Sequence, residues 1–341
     1  MIIKIKRNSP HLPDELIKYL KSLDCEIKKI EQKNCILYVL TGDTSSIDIQ
    51  RVRAFRVVDE VIRIEDPFKL SSREFNPDDF IVDVSGVKFG GGHFAMIAGP
   101  CAVESRRQIL EIAKGVKDAG AQILRGGAYK PRTSPYSFDG LHKKGLELLI
   151  EAGQKTNLPV VTEILDPRDL PYYEDVDLLQ VGARNMQNYP LLTALGKQKK
   201  PVLLKRGFSA TYEEFLLSAE YILSGGNPNV ILCERGIRSF ESEIRNTLDI
   251  SCVPMIKRLS NLPIITDPSH AGGDYRLVKP LALASVAAGA DGVMIEVHNN
   301  PQYALSDGPQ SVKISRFKSI TKDLYEIRQI TQGGLDDETH D

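Results

Sequence analysis

The chain has almost no net charge, with 44 basic against 45 acidic residues over 341 positions. With no overall field to recruit nucleic acid or a membrane surface, any affinity for anions must be local. Paired cysteine spacing is also missing. The five cysteines, Cys25, Cys35, Cys101, Cys233 and Cys252, are odd in number and form no CxxC, which argues against a disulfide framework. No window reaches the ~18 apolar residues of a membrane span. The opening MIIKIKRNSP interrupts its apolar residues with charge and has no h-region. A cytoplasmic location is expected, with neither nucleic acid nor membrane as partner.

What the chain does have is a repeated grammar. Eight times after about residue 93 a short, nearly continuous apolar run stops on a charged or metal-binding side chain: FAMIAGPC, AQILRGGAYK, PVVTEIL, LLQVGAR, PVLLKRG, NVILCERG, PIITDPSH and GVMIEVHN. The endings supply Cys101, Arg125 with Lys130, Glu163, Arg184, Lys205, Arg235, His270 and Glu296. Strands buried on both faces read as unbroken hydrophobic runs, and polar residues at their C-terminal ends are where a (β/α)8 barrel builds its active site. Amphipathic stretches such as SRRQILEIAKGVKDAG, TYEEFLLSAEYILSG and DYRLVKPLALASVAAG fit between the strands as helices. The expected class is α/β, a (β/α)8 TIM barrel over 94–330, close to the ~250 residues such a barrel needs.

Residues 1–65 follow a different pattern, β-α-β-β-α-β, which suits a small α+β ferredoxin-like domain. That region carries no cluster of Cys, His, Asp and Glu at ligand spacing, so regulation or assembly is expected of it rather than catalysis. Residues 66–93 read as a linker followed by a hairpin capping the barrel's bottom, and the acidic tail 331–341 as frayed.

Two constellations carry chemistry. Cys101, His270, Glu296 and Asp307 come from the ends of strands one, seven and eight and the loop after strand eight, which a closed barrel makes neighbours. Thiolate, imidazole and two carboxylates could hold Zn, Fe, Mn or Co; singly, His270 also reads as a helix cap, Asp307 as a turn former and Glu296 as a supporting acid. The second constellation is cationic: Arg125, Lys130, Arg132, Arg184, Lys205 and Arg235, with Arg206 and Arg238 nearby as candidates for solvated surface charge. Converging buried cations is costly unless an anion neutralises them, and Arg forks suit phosphate and carboxylate. Two anionic substrates, or a dianion plus a carboxylate, would use this many.

Together the strings IAGPCAVES, LRGGAYKPRTSPYSFDGL, QVGARNMQN, PVLLKRGFS, ILCERGIR, DPSHAGG, IEVH and ALSDGPQS resemble 3-deoxy-D-arabino-heptulosonate 7-phosphate (DAHP) synthase of type I beta, over residues 66–330. The loop KPRTSP is similar to the form that takes erythrose 4-phosphate; 3-deoxy-D-manno-octulosonate 8-phosphate synthase typically carries an Asn-Arg variant there. The resemblance implies one divalent cation on Cys101, His270, Glu296 and Asp307. It implies Arg184 and Arg235 on the phosphate of phosphoenolpyruvate, and Arg125, Lys130 and Lys205 near its carboxylate. Arg132 and Thr133 would hold erythrose 4-phosphate, and Glu163 would order a water at the enolpyruvate carbon. Lys130, Glu163, Cys101 and His270 are then the candidate catalytic residues. It further implies a homotetramer, and tyrosine or phenylalanine as feedback inhibitor. Rival readings are a Schiff-base enzyme acting through Lys205, a catalytically dead barrel kept for binding, and a fused chorismate mutase. The last is all-helical, which the strand NCILYVL opposes.

Overall fold

A computed structural model describes residues 1–6, 11–23, 25–31, 35–42, 44, 46–63, 67–131 and 136–333. The expected site residues Arg132 and Thr133, in the loop after the second barrel strand, lie outside the described residues, as does the tail from 334.

The N-terminal region runs β1 (Ile2–Lys6), α1 (Asp14–Lys21), β2 (Glu26–Glu31), β3 (Cys35–Thr41), α2 (Ile49–Arg53) and β4 (Val58–Ile62). Its antiparallel sheet has the order β2-β3-β1-β4, the arrangement the β-α-β-β-α-β pattern anticipates. Alternation along β1 explains how it packs. Ile3 and Ile5 face the helices, joining Leu16, Leu20 and Val52 in one cluster, while Ile2 on the opposite face joins Leu37, Val39, Phe68 and Leu70 and the outer barrel core.

Next come the hairpin strands β5 (Val82–Val84) and β6 (Val87–Phe89), then the barrel strands β7 (Ala95–Gly99), β8 (Ile123–Arg125), β9 (Val160–Glu163), β10 (Leu178–Val181), β11 (Val202–Lys205), β12 (Val230–Glu234), β13 (Ile264–Thr266) and β14 (Gly292–Glu296). The eight close in the order β10-β11-β12-β13-β14-β7-β8-β9, every pair parallel. All eight apolar runs of the sequence are strands of this barrel. The interleaved helices are α3 (Arg106–Asp118), α4 (His142–Thr156), α5 (Tyr189–Gly196), α6 (Tyr212–Leu223), α7 (Cys252–Leu259), α8 (Pro268–Gly272), α9 (Tyr275–Ala287) and α10 (Ile314–Gly333). Between β9 and β10 a 3-10 helix, Pro167–Tyr173, replaces an α-helix, because Pro171 sits inside it without an amide N–H to continue the ladder. Among the described residues no helix is long and apolar enough to cross a membrane.

Inside the barrel, side chains alternate inward and outward. Ala95, Ile97, Ile123, Val161, Leu178, Leu203, Ile231, Ile265 and Met294 form the inner apolar layer, and Val82, Val84 and Phe89 of the hairpin plug its lower end. Residues 71–80 strap the same end. The Ser71 amide and hydroxyl donate to Glu220 of α6 at 2.8 and 3.0 Å, and the Phe80 amide donates to Asn261 just before β13 at 2.8 Å. The N-terminal sheet precedes this strap, and Ile30 with Leu70 faces Leu223, Pro228 and Leu262, so the sheet lies by the base of its own barrel.

Candidate active site

A period of two sets the site. Two residues beyond each inner apolar side chain, the same inward face reaches the barrel's C-terminal end. Ile123 leads to Arg125, Val161 to Glu163, Leu178 to Gln180, Leu203 to Lys205, Ile265 to Asp267 and Met294 to Glu296. These polar side chains line or floor a cavity of about 280 Å³, walled also by Lys130, Arg184, Phe208, Arg235, Arg245, His270 and Asp307. Six of its lining residues are cations. Seven of the sequence candidates, Arg125, Lys130, Glu163, Arg184, Lys205, Arg235 and His270, therefore meet in one place, with Asp307 beside them.

The donor cluster lies on one wall. One ligand atom each from Cys101, His270, Glu296 and Asp307 fall within 4.8 Å of one another, the spread expected of atoms ~2.0–2.3 Å from a common centre. The Cys101 thiol donates to Asp307 Oδ2 at 3.1 Å, and His270 Nε2 is 3.3 Å from Glu296 Oε1. His270 arrives on a helix rather than a strand. β13 stops at Thr266, Asp267 caps α8 by accepting from the His270 amide at 3.0 Å, and its other oxygen sits 2.7 Å from His270 Nδ1. An Nδ1 proton held by that carboxylate leaves Nε2 with its lone pair toward the cluster, as a metal-bound histidine requires. Burial pushes the imidazole down to about 4, so it is neutral at neutral pH.

Around these donors the charges interlock. Burial raises Glu296, but His270, Arg125 and Lys130 outweigh it and hold the carboxyl well below its usual range. Its Oε1 is bonded by Arg125 and its Oε2 by Gln310 Nε2 at 2.5 Å. Desolvation lifts the Cys101 thiol to about 12, with Glu296 adding to the rise and Lys130 and Arg125 opposing it. Lys130 Nζ lies 3.0 Å from both the sulfur and the carbonyl oxygen of Cys101. A soft thiolate, an imidazole and two carboxylates whose cationic partners balance them fit a divalent ion of the Mn, Fe, Co or Zn kind.

The charge on the rest of the lining is mainly cationic. Lys205, 4% exposed, is bonded to Asp267 Oδ2 at 2.5 Å. That ion pair opposes the Schiff-base reading, since a nucleophilic amine must be free and uncharged. Arg235, 3% exposed, donates only to neutral acceptors, Asn246 Oδ1 at 2.8 Å and the His270 and Gly236 carbonyls. Burial lowers its pKa, and the acid Asp267 only partly offsets this. A buried cation without a carboxylate partner is costly unless an anion neutralises it. Glu163 accepts from Gln180 Nε2 at 3.3 Å, while Gln180 Oε1 is buried without a partner among the described residues. A Cβ at residue 182 would fall 2.0 Å from Glu163 Oε1, so only Gly182 lets this carboxylate face the cavity.

One expectation changes. Arg206 is not solvated surface charge: it is 5% exposed and pairs with Glu234 at 2.9 Å and Asp249 at 2.8 Å. It also turns away from the cavity, because consecutive strand residues point to opposite faces and Lys205 takes the inward one. Sequence reading missed Asp267, Gln180, Phe208 and Arg245. Asp267 and Gln180 could have been found from the period of two; Arg245, 3.3 Å from Asp307 Oδ1, comes from an irregular loop that has no period.

Comparison with known proteins agrees with this geometry. The family model described as "DAHP synthetase I family" matches residues 73–332. A curated relative from Thermotoga maritima, phospho-2-dehydro-3-deoxyheptonate aldolase, is 48% identical over 96% of this chain and 97% of its own length. The 2-dehydro-3-deoxyphosphooctonate aldolase of Syntrophobacter fumaroxidans is 31% identical over 73% of this chain and 92% of its own. The crystal structure of the Thermotoga maritima aldolase, also called DAHP synthase, superposes with a TM-score of 0.77 at 46% identity, covering 96% of this chain and 97% of that one. A truncated form of the Thermotoga enzyme gives 0.72 at 51% identity, covering 77% of this chain and 97% of that one. On the breadth of these matches, the chain belongs to the DAHP synthetase I family.

Proposed function

We infer that this protein condenses phosphoenolpyruvate with erythrose 4-phosphate and water to give DAHP and inorganic phosphate, the first step of the shikimate pathway. The observation that carries the reading is a cavity lined by six cations and sharing a wall with a four-donor cluster. The relative matched over nearly the whole chain bears a heptonate name, whereas octonate relatives match 72–75% of it, which supports the seven-carbon product.

Each residue then has a task. Arg184 and Arg235 hold the phosphate of phosphoenolpyruvate, and Lys205, Arg125 and Lys130 neutralise its carboxylate. Arg132 and Thr133 are assigned to the phosphate and hydroxyls of erythrose 4-phosphate. This clamp brings two mutually repelling phosphates to reacting distance, which is mainly positioning and electrostatics. Cys101, His270, Glu296 and Asp307 hold one divalent cation, which when bound supplies Lewis acidity for the aldehyde oxygen or a water. The methylene carbon attacks the aldehyde, and cationic character grows at the enolpyruvate carbon. Glu163, with Gln180 beside it, orients the water that adds there, and collapse of the hemiketal phosphate releases phosphate. A homotetramer and feedback by tyrosine or phenylalanine through the N-terminal domain belong to the same proposal. With that domain at the base of its own barrel, closure over a mouth would involve a neighbouring copy.

Phosphate release from phosphoenolpyruvate with erythrose 4-phosphate, against arabinose 5-phosphate, with and without chelator, tests the reading. Turnover with the four-carbon sugar that chelator abolishes is expected. Preference for arabinose 5-phosphate, or full activity in chelator, would overturn it.

A further inference from the structure

We propose that Phe208 is a positioning residue for the phosphate end of the substrate site, its ring gathering Arg184, Arg235 and Arg238 into one cradle before the anion arrives. The inference deepens the proposed reaction and rests on that reading. The guanidinium carbons of Arg184, Arg235 and Arg238 lie 5.4, 4.6 and 5.4 Å from the centroid of this one ring. Three guanidinium groups around a single phenyl face is a concentration that chance surface contacts do not produce, since significant cation-π pairs occur roughly once per 70–80 residues.

The contrast with the neighbouring cations sharpens the point. Arg125, Lys205, Arg206 and Arg245 each have a carboxylate partner. None of the three around Phe208 has an ion pair with a described acid. A carboxylate would hold them in place but would also occupy the charge that a phosphate must meet. An aromatic face offers attraction to a cation without forming an ion pair, so Arg235, whose fork donates only to neutral acceptors among the described residues, keeps its charge for an incoming oxyanion, as do Arg184 and Arg238. The ring therefore solves a specific problem: keeping like charges together in a site that stays receptive.

The turn that carries the ring is held from three sides. Arg238 donates its amide to the Phe208 carbonyl at 2.8 Å. The Gly207 amide reaches Met186 Sδ at 3.0 Å, in the loop that carries Arg184. Arg206 donates from Nε to the Ala210 carbonyl at 2.9 Å while Glu234 and Asp249 fix its guanidinium. The buried Arg206 network, which the substrate never touches, thus fixes the turn that aims Phe208. The loops after β10, β11 and β12 converge on this ring, each bringing a part of the cradle.

Phe208→Leu keeps apolar bulk and removes the π face; Phe208→Tyr keeps the face. Phe208→Leu should raise KM for phosphoenolpyruvate on the order of tenfold, with kcat within about twofold and a smaller change in KM for erythrose 4-phosphate. Calorimetric titration of chelator-treated protein with phosphoenolpyruvate should show the same weakening, and Phe208→Tyr should restore both to within about twofold. An unchanged KM in Phe208→Leu, an equal rise in Phe208→Tyr, or a loss confined to kcat would overturn the proposal. Should Phe208→Leu fail to fold by circular dichroism, the adaptable Phe208→Met carries the same comparison. A wild-type protein that releases no phosphate would instead sink the proposed reaction, while the calorimetric arm would still judge Phe208.

Discussion

Replacing Asp267 by Asn should damage metal binding and substrate binding together, without touching either ligand directly. Asp267 is fully buried and its two oxygens serve three donors: the His270 amide at 3.0 Å, His270 Nδ1 at 2.7 Å and Lys205 Nζ at 2.5 Å. Asn has one oxygen. If that oxygen keeps the helix cap, the amide NH2 faces both His270 and the Lys205 ammonium. The imidazole must then accept at Nδ1 and carry its proton on Nε2, the atom that points into the donor cluster. If the amide flips, the NH2 opposes the His270 amide and the cap of α8 is lost. Metal affinity should fall about 10–100-fold, the usual cost of losing the partner of a metal-bound histidine. The Lys205 charge, left without its carboxylate, should cost roughly 3 kcal/mol of stability in the ligand-free protein. Bound phosphoenolpyruvate should recover part of that, because its carboxylate replaces the missing charge. Competition with a chelator of known affinity measures the first effect; thermal unfolding with and without phosphoenolpyruvate measures the second. Metal affinity and ligand-free stability both matching the wild type would refute the reasoning.

Cys101→Ala and His270→Ala should lose bound metal and activity together while keeping a barrel-like circular dichroism spectrum, because both residues lie above the packed inner layer; normal turnover by metal-free Cys101→Ala would contradict the ligand assignment. Arg235→Ala should raise KM for phosphoenolpyruvate far more than for erythrose 4-phosphate, and Arg132→Ala the reverse; equal rises in both variants would mean the two subsites are wrongly divided. Deleting residues 1–65 should leave an active barrel that no longer responds to tyrosine or phenylalanine, and a full-length enzyme indifferent to both at millimolar concentration would remove the regulatory role.

The barrel was legible because its strands are buried on both faces and short enough to stop on the residue that matters. Ile123-Leu124-Arg125 and Leu203-Leu204-Lys205 state in three letters which face is inner and what stands at the mouth. The same rule, applied one residue further, would have separated Arg206 from Lys205. What the sequence concealed depends on partners distant in the chain. Asp267 reads as an ordinary helix cap, and only the closure of β11 beside β12 and β13 brings Lys205 to it. Arg245 belongs to a loop with no period, and its place over Asp307 follows from how that loop folds back onto Gly272. The missing third barrel helix could have been read from PRDLPYY, where a second proline leaves no room for an α-helical ladder.

The charges at the mouth are arranged so that neither half of the site is complete alone. Each of the four clustered donor residues is tied to a cation that lines the cavity. Cys101 is bonded to Lys130, Glu296 to Arg125 and Asp307 to Arg245, while His270 is joined to Lys205 through Asp267. In the ligand-free protein the carboxylates of Glu296, Asp307 and Asp267 neutralise Arg125, Arg245 and Lys205, which makes so dense a cluster of buried charge tolerable. On the proposed function, a divalent ion held by the donor cluster would share its donors with those cations, and each cation loosened from a donor would be better able to meet a substrate oxygen. An anion bound first would draw the same cations away from the donors and so favour the ion. Because the coupling runs through shared partners, its strength must be equal in both directions. The residues that transmit it are those whose side chains face both walls, Arg125 and Asp267 above all.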